Sequence, residues 1–214
     1  MHNLIFTIIV LSSVTAASIQ DIYDTQWALI IGIDKYHNES HLRYAVQDAE
    51  AIQNLLITHF GYSENNVTLL INNDATLKNI KTNLGRIANL TGKNDAFLVF
   101  YAGHGVTQPT HQGGEMGYLL PVDGDKDNIY GTCLPMSEVK DIGLISIAKH
   151  VLFLMDACYG GLMALEYRSL EKSTPEYLEK LTREKSRQII TAGGKGEKVL
   201  EKAVWGHSAF TKNL

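Results

Sequence analysis

Three runs in this chain are apolar without alternation: Trp27-Ala28-Leu29-Ile30-Ile31-Gly32-Ile33, Ala96-Phe97-Leu98-Val99-Phe100 and His150-Val151-Leu152-Phe153-Leu154. A strand wetted on one face alternates, so such runs suit parallel strands covered on both faces. Between the first two runs, Ala45, Ala49, Ile52 and Leu56 recur at helical spacing from Tyr44 to His59, and Gly61 supplies a stop. Val67–Ile71 reads as a second strand. Thr76 is placed to cap a further helix whose core face is Leu77, Ile80, Leu84, Ile87 and Leu90. Strand, helix, strand, helix, strand is the alternation that builds a parallel sheet with helices on its faces.

Two of the runs end in a reactive side chain set among glycines: Phe100-Tyr101-Ala102-Gly103-His104-Gly105 and Met155-Asp156-Ala157-Cys158-Tyr159-Gly160-Gly161. In one parallel sheet both ends fall on the same rim, where open α/β sheets place their ligand crevice. A neutral thiol is a poor nucleophile, and an imidazole beside it supplies the base it needs. His104 and Cys158 are therefore the candidate catalytic pair. Gly103, Gly105, Gly160 and Gly161 are expected to let the main chain turn sharply beside it. The backbone N–H groups of Gly105 and Cys158 are candidates for an oxyanion hole.

With 214 residues, 45% hydrophobic and 20% charged, the chain suits one well-packed domain. A net charge of -4 and the lack of a basic cluster before Tyr167 give no footprint for nucleic acid. Two cysteines, Cys133 and Cys158, exclude a disulfide framework, and Cys133 reads as a small buried apolar residue. The two cysteines lack metal-ligand spacing, and no metal is assigned.

Residues 1–17 read as a signal peptide, Leu4–Leu11 being the apolar stretch and Ser12–Ser18 the small-residue region, although Met1-His2-Asn3 lacks a basic residue. An uncleaved anchor or a buried strand is the competing reading. A cleaved leader implies a secreted or vacuolar/lysosomal protein with no membrane association; without one the protein is expected in the cytoplasm. Sequons at Asn38, Asn66 and Asn89 fit the secretory reading weakly.

Past His104, Tyr118–Val122 reads as a hairpin arm and Met136–Ile147 as a helix. The charged segment 162–187 reads as a solvated loop with an amphipathic helix or as a self-processing linker. Gln188–Gly194 reads as a last strand, and Trp205–Leu214 as the opening turn of a helix, with the domain expected to continue past Leu214.

The two motifs resemble those of the caspase superfamily of cysteine endopeptidases, in its metacaspase and bacterial caspase-like branch, whose His lies about fifty residues before its Cys. Ala28–Asp34, Leu42–Ala49, Gly117–Asp123 and Phe210-Thr211 look like further landmarks, so the resemblance covers residues 27–214. It implies a three-layer α/β fold with a mostly parallel six-stranded sheet between helices, the last strand falling outside this chain. It implies His104 as general base and acid, Cys158 as thioester-forming nucleophile, and protein or peptide substrates. No third, orienting carboxylate is evident.

Where aspartate-specific caspases carry Gln two residues before the nucleophile, this chain has Asp156. A carboxylate there favours a basic side chain, and the resemblance puts Asp48 on the same pocket, which implies cleavage after Arg or Lys. Asp48 has a competing role as a helix-starting residue, and Arg43 keeps an aspartate preference open. Many metacaspases use calcium, but Asp123–Asp127 matches no EF-hand loop, and no cofactor is assigned. Two rival readings are a catalytically weak or inactive regulatory module of the same fold and a legumain-like thiol peptidase.

Overall fold

The structure is a computed structural model that describes residues 22–157, 182–193, 201–202 (backbone) and 205–214. Cys158, Gly160, Gly161, the leader and most of the charged segment 162–187 lie outside the described residues.

The elements follow the order read from the pattern. Strand β1 (Gln26–Gly32) leads to helix α1 (Ala45–His59), β2 (Val67–Ile71), α2 (Leu77–Leu90) and β3 (Ala96–Ala102). After β3 come three short strands, β4 (Gly105–Pro109), β5 (Glu115–Leu119) and β6 (Leu134–Pro135), then α3 (Met136–Ile145) and β7 (His150–Asp156). The described chain closes with β8 (Ser186–Thr191), β9 (Glu201–Lys202), β10 (His207–Ser208) and a helical turn, α4 (Ala209–Lys212).

The main sheet has the order β2-β1-β3-β7-β8, and all four pairings are parallel. It is a three-layer α/β fold, with five of the six expected strands among the described residues. β3 is buried at all seven positions. Its alternate residues feed two cores: Phe97, Val99 and Tyr101 pack with Ile80, Leu84 and Ile87 of α2 and Val139 of α3. Leu98 and Phe100 pack with Ala45, Ala49, Ile52 and Leu56 of α1. The absence of alternation in the sequence thus reflects two covered faces, each side chain removing apolar area from water.

Local chemistry fixes the helix starts. Tyr44 offers α1 no side-chain cap; instead the Ala45 amide donates to Asp34 Oδ1 across the turn from β1, at 2.9 Å. Thr76 caps α2 by accepting from the Asn79 amide, as expected, and the Leu77 amide donates to Asp123 Oδ1 at 2.9 Å. Gly32 lets β1 meet α1: a Cβ there would sit 2.6 Å from both Ala45 O and Ala49 Cβ.

Three details differ from expectation. Leu90 does not join the core face of α2 and is 52% exposed, because the buried stripe runs on by steps of four through Ala88 and Thr91. The arm read at Tyr118–Val122 is instead β5, Glu115–Leu119, of a three-stranded antiparallel sheet, β4-β5-β6, in which Val106 pairs Tyr118. The strand read at 188–194 is β8, at 186–191. Arg187 anchors it, donating from its guanidinium to the carbonyls of Gly143, Ser146, Ala148, Lys149 and Ser186.

Candidate active site

β3 and β7 are neighbours in register, Ala102 opposite Asp156, and the Gly103 amide donates to the Asp156 carbonyl at 3.2 Å. The chain that carries His104 and the chain that leads to Cys158 therefore leave the sheet side by side on one rim. Cys158 itself lies outside the described residues, so the geometry available is that of the imidazole and of the residues leading to the thiol.

His104 is held on every side by groups with no motif of their own. Its Nε2 lies 3.0 Å from the Ser40 carbonyl oxygen. A carbonyl only accepts, so Nε2 carries the proton and Nδ1 is left with its lone pair. Its backbone amide donates to the Tyr36 hydroxyl at 2.7 Å, and the Tyr36 ring lies 4.8 Å from the imidazole, tilted by 40°. The Tyr101 hydroxyl shares its proton between the carbonyls of His104 and Leu120, each at 2.8 Å. Burial pushes the Tyr36 phenol far up, so it stays protonated.

The loop that presents Ser40 is itself tied down. Its Leu42 amide donates to Asp34 O and its His37 amide to Val122 O. The amides of Asp34 and Lys35 both donate to Asn72 Oδ1 at 3.0 Å. Glu39 pairs with Lys126 and accepts from the Ser40 amide at 2.8 Å. Lys126 first and that amide next hold the Glu39 carboxyl down, to about 2. The orienting group for the imidazole is thus a backbone carbonyl, which explains why no third carboxylate was visible in the sequence.

Burial pushes the His104 imidazole below its ordinary value; the bond to Ser40 O opposes this and the nearby Lys126 charge adds to it. Near neutral pH the ring is therefore unprotonated at Nδ1 and able to act as a base.

Gly103 serves a different purpose from the one expected, while Gly160 and Gly161 lie outside the described residues. Positive φ among the described glycines is found at Gly61, Gly113, Gly114 and Gly206, and not at Gly103 or Gly105. Gly103 is required for space: a Cβ there would meet the hydroxyls of Tyr36 and Tyr101 at 2.5 and 2.7 Å. Gly105 opens β4 opposite Leu119. Since the Leu120 amide bonds back to His104 O at 3.0 Å, the next residue along turns its N–H away from β5.

The two candidate pocket carboxylates come together through the C-terminal segment. Asp48, in the first turn of α1, is 1% exposed, and Asp156, at the end of β7, is 5% exposed. His207 Nδ1 donates to Asp48 Oδ1 at 2.6 Å, and the Ser208 amide to Asp48 Oδ2 at 3.1 Å. The Ser208 hydroxyl donates to Asp156 Oδ2 in a short bond, and Thr211 Oγ1 donates to the same oxygen at 2.8 Å. Asp156 Oδ1 is buried with no partner among the described residues.

Burial raises both carboxyls above the usual carboxylate range. The bonds from His207 and Ser208 oppose this at Asp48. Those from Ser208 and Thr211 oppose it at Asp156, where the Asp48 charge raises the value further. Asp48 both sits in the first turn of α1 and belongs to this cluster, so the two readings of it are compatible. Arg43 is exposed and Cys133 is buried. Asp123 and Asp125 accept from main-chain amides, of Leu77 and Asp127. No helix among the described residues is long and apolar enough to cross a membrane.

A family model, the caspase domain, matches residues 25–214, and the chain belongs to that family. It is similar to metacaspase-1 of Eremothecium gossypii, 29% identical over 146 residues that make up 63% of this chain and 31% of that protein. It is also similar to metacaspase-6 of Arabidopsis thaliana, 26% identical over 188 residues, 78% of this chain and 48% of that one. The chain thus spans between about a third and a half of the length of these two relatives. Among solved structures, protein GSU0716 from Geobacter sulfurreducens shares the fold, with a TM-score of 0.64, 20% identity, and coverage of 87% of this chain and 79% of that one.

Proposed function

We propose that the protein is a cysteine endopeptidase that uses His104 and Cys158 and cuts after Arg or Lys. His104 Nδ1 takes the Cys158 proton, and the thiolate attacks the scissile carbonyl. The oxyanion rests on the N–H groups of Gly105 and Cys158, and the imidazolium returns its proton to the departing amine. Water then attacks the thioester with the same base, releasing the acid product and restoring the thiol.

The observation that carries the choice of substrate is the buried acidic pair. Two buried carboxylates close together disfavour their own ionised state, and Asp156 Oδ1 has no donor among the described residues. A basic side chain entering there would supply both the missing donor and the missing positive charge. The relation of β3 to β7 supports the dyad, since it leads both motifs off one rim.

The test is a panel of peptides with Arg, Lys or Asp before the scissile bond, together with a basic-peptide thiol-reactive probe applied to wild type and Cys158→Ala. We expect turnover of Arg and Lys peptides and labelling of wild type alone. Faster turnover of the Asp peptide would overturn the basic pocket. Equal labelling of both proteins would overturn the dyad and favour the regulatory-module reading. We also propose that residues 1–17 are removed on secretion, which N-terminal sequencing of the mature protein checks.

A further inference from the structure

We propose that His207 sets which basic side chain the pocket prefers, by holding Asp48 so that an arriving cation meets only Asp156 Oδ1, the oxygen with no partner among the described residues. This rests on the reading of Asp48 and Asp156 as the pocket for a basic side chain.

The four donors that line the carboxylates are not equivalent. The Ser208 amide is main chain and cannot leave Asp48 without moving β10. The Ser208 hydroxyl is fixed at both ends, donating to Asp156 and accepting the Thr211 amide at 3.0 Å. Thr211 is 9% exposed and Ser208 2%. The His207 side chain, by contrast, is 28% exposed while the Asp48 carboxylate it holds is 2% exposed. Of the four, the imidazole is the group most exposed to solvent, and its rotation would release its carboxylate without moving the backbone. Gly206, at φ 66°, turns the chain into this position.

The two possible cations ask for different acceptors. An ammonium is a compact point charge whose donors rotate, so one anionic oxygen satisfies it; a guanidinium is a rigid planar fork that is best met by two. With His207 seated, the one carboxylate oxygen of the pair without a partner among the described residues is Asp156 Oδ1, which suits Lys. Binding Arg by its fork requires Asp48 Oδ1 as well, and the imidazole must first give it up. His207 is therefore a specificity-determining residue that restrains Arg relative to Lys.

The experiment compares wild type, His207→Ala and His207→Gln, whose amide can still donate to Asp48. Paired peptides differing only in Arg or Lys give the ratio of kcat/KM. Calorimetry of agmatine and cadaverine with the Cys158→Ala forms gives the same ratio without catalysis. Removing the imidazole should raise the Arg-to-Lys and agmatine-to-cadaverine ratios about tenfold, the scale of one charge-assisted hydrogen bond, while His207→Gln stays near wild type. Ratios unchanged or shifted toward Lys in His207→Ala overturn the proposal, as does absence of binding by either amine to any form. If the amines bind with the expected shift yet no peptide is cut, the peptidase reading fails and the role of His207 stands. Thermal melting checks that each variant is folded, and His207→Leu replaces the Ala variant if that one does not fold.

Discussion

The His104 end of the rim and the buried acidic pair, Asp156 at the end of β7 and Asp48 on α1, are assembled in opposite ways. His104 is held by a backbone carbonyl and a tyrosine from the loop after β1, 64 and 68 residues away. The two carboxylates are held by side chains and one amide of residues 207–211, with His207 and Ser208 159 and 160 positions from Asp48. One region is fixed by the scaffold it grows from; the other is closed from outside by a separate strap. Damage to the first should therefore appear in the chemical step, and damage to the second in the choice of substrate.

The largest expected effect is from His104→Ala, which removes the proposed base: kcat should fall by about 10³-fold, within the range for loss of a general base, with the melting temperature nearly unchanged. Asp156→Asn comes next. We expect about 100-fold loss of kcat/KM on Arg and Lys peptides, the scale of losing a buried ionic contact. Its melting temperature at neutral pH should hold or rise, because a buried anion has been removed. A large drop in stability instead would mean that the carboxylate is a structural member of the strap.

Tyr36→Phe probes the scaffold side. It removes the acceptor for the His104 amide while keeping the ring against the imidazole. About tenfold lower kcat with KM held is expected, on the scale of one buried hydrogen bond. A change in KM alone would break the contrast between the two regions.

Smaller effects should be read in pH. His104 is held below its ordinary value, so the acid limb of kcat/KM should fall below that of an ordinary histidine, and an acid limb above it would contradict the burial argument. Asp48 and Asp156 have raised values in the fold. In the window from the ordinary carboxylate value up to their raised values, the folded form binds more protons than the unfolded form. Their contribution to stability is thus fully present below the unfolded value and is lost as pH rises through the folded values. The double variant Asp48→Asn/Asp156→Asn should flatten that part of the denaturation profile.

The scaffold half was the more legible in the sequence. Unalternated apolar runs announced β1, β3 and β7, and the parallel sheet followed, because burial on both faces leaves a mark on every residue. His104 stood out for its place between glycines at the end of such a run. Ser40 left no mark, because it acts through a carbonyl that any residue would provide. Tyr36 and Tyr101 pass as ordinary core aromatics, and their hydroxyls matter only once Gly103 is seen to have no room for a Cβ. The strap was legible in part: Phe210-Thr211 could be noticed as a landmark, but the reach of His207 and Ser208 to Asp48 depends on a sequence separation that no local pattern encodes.

The contact between Ser208 and Asp48 spans nearly the whole described chain, and closing so long a loop is entropically unfavourable until much else has formed. During synthesis the strands that carry both motifs emerge well before residues 207–211. A growing chain therefore has its sheet rim before residues 207–211 can close on Asp48 and Asp156.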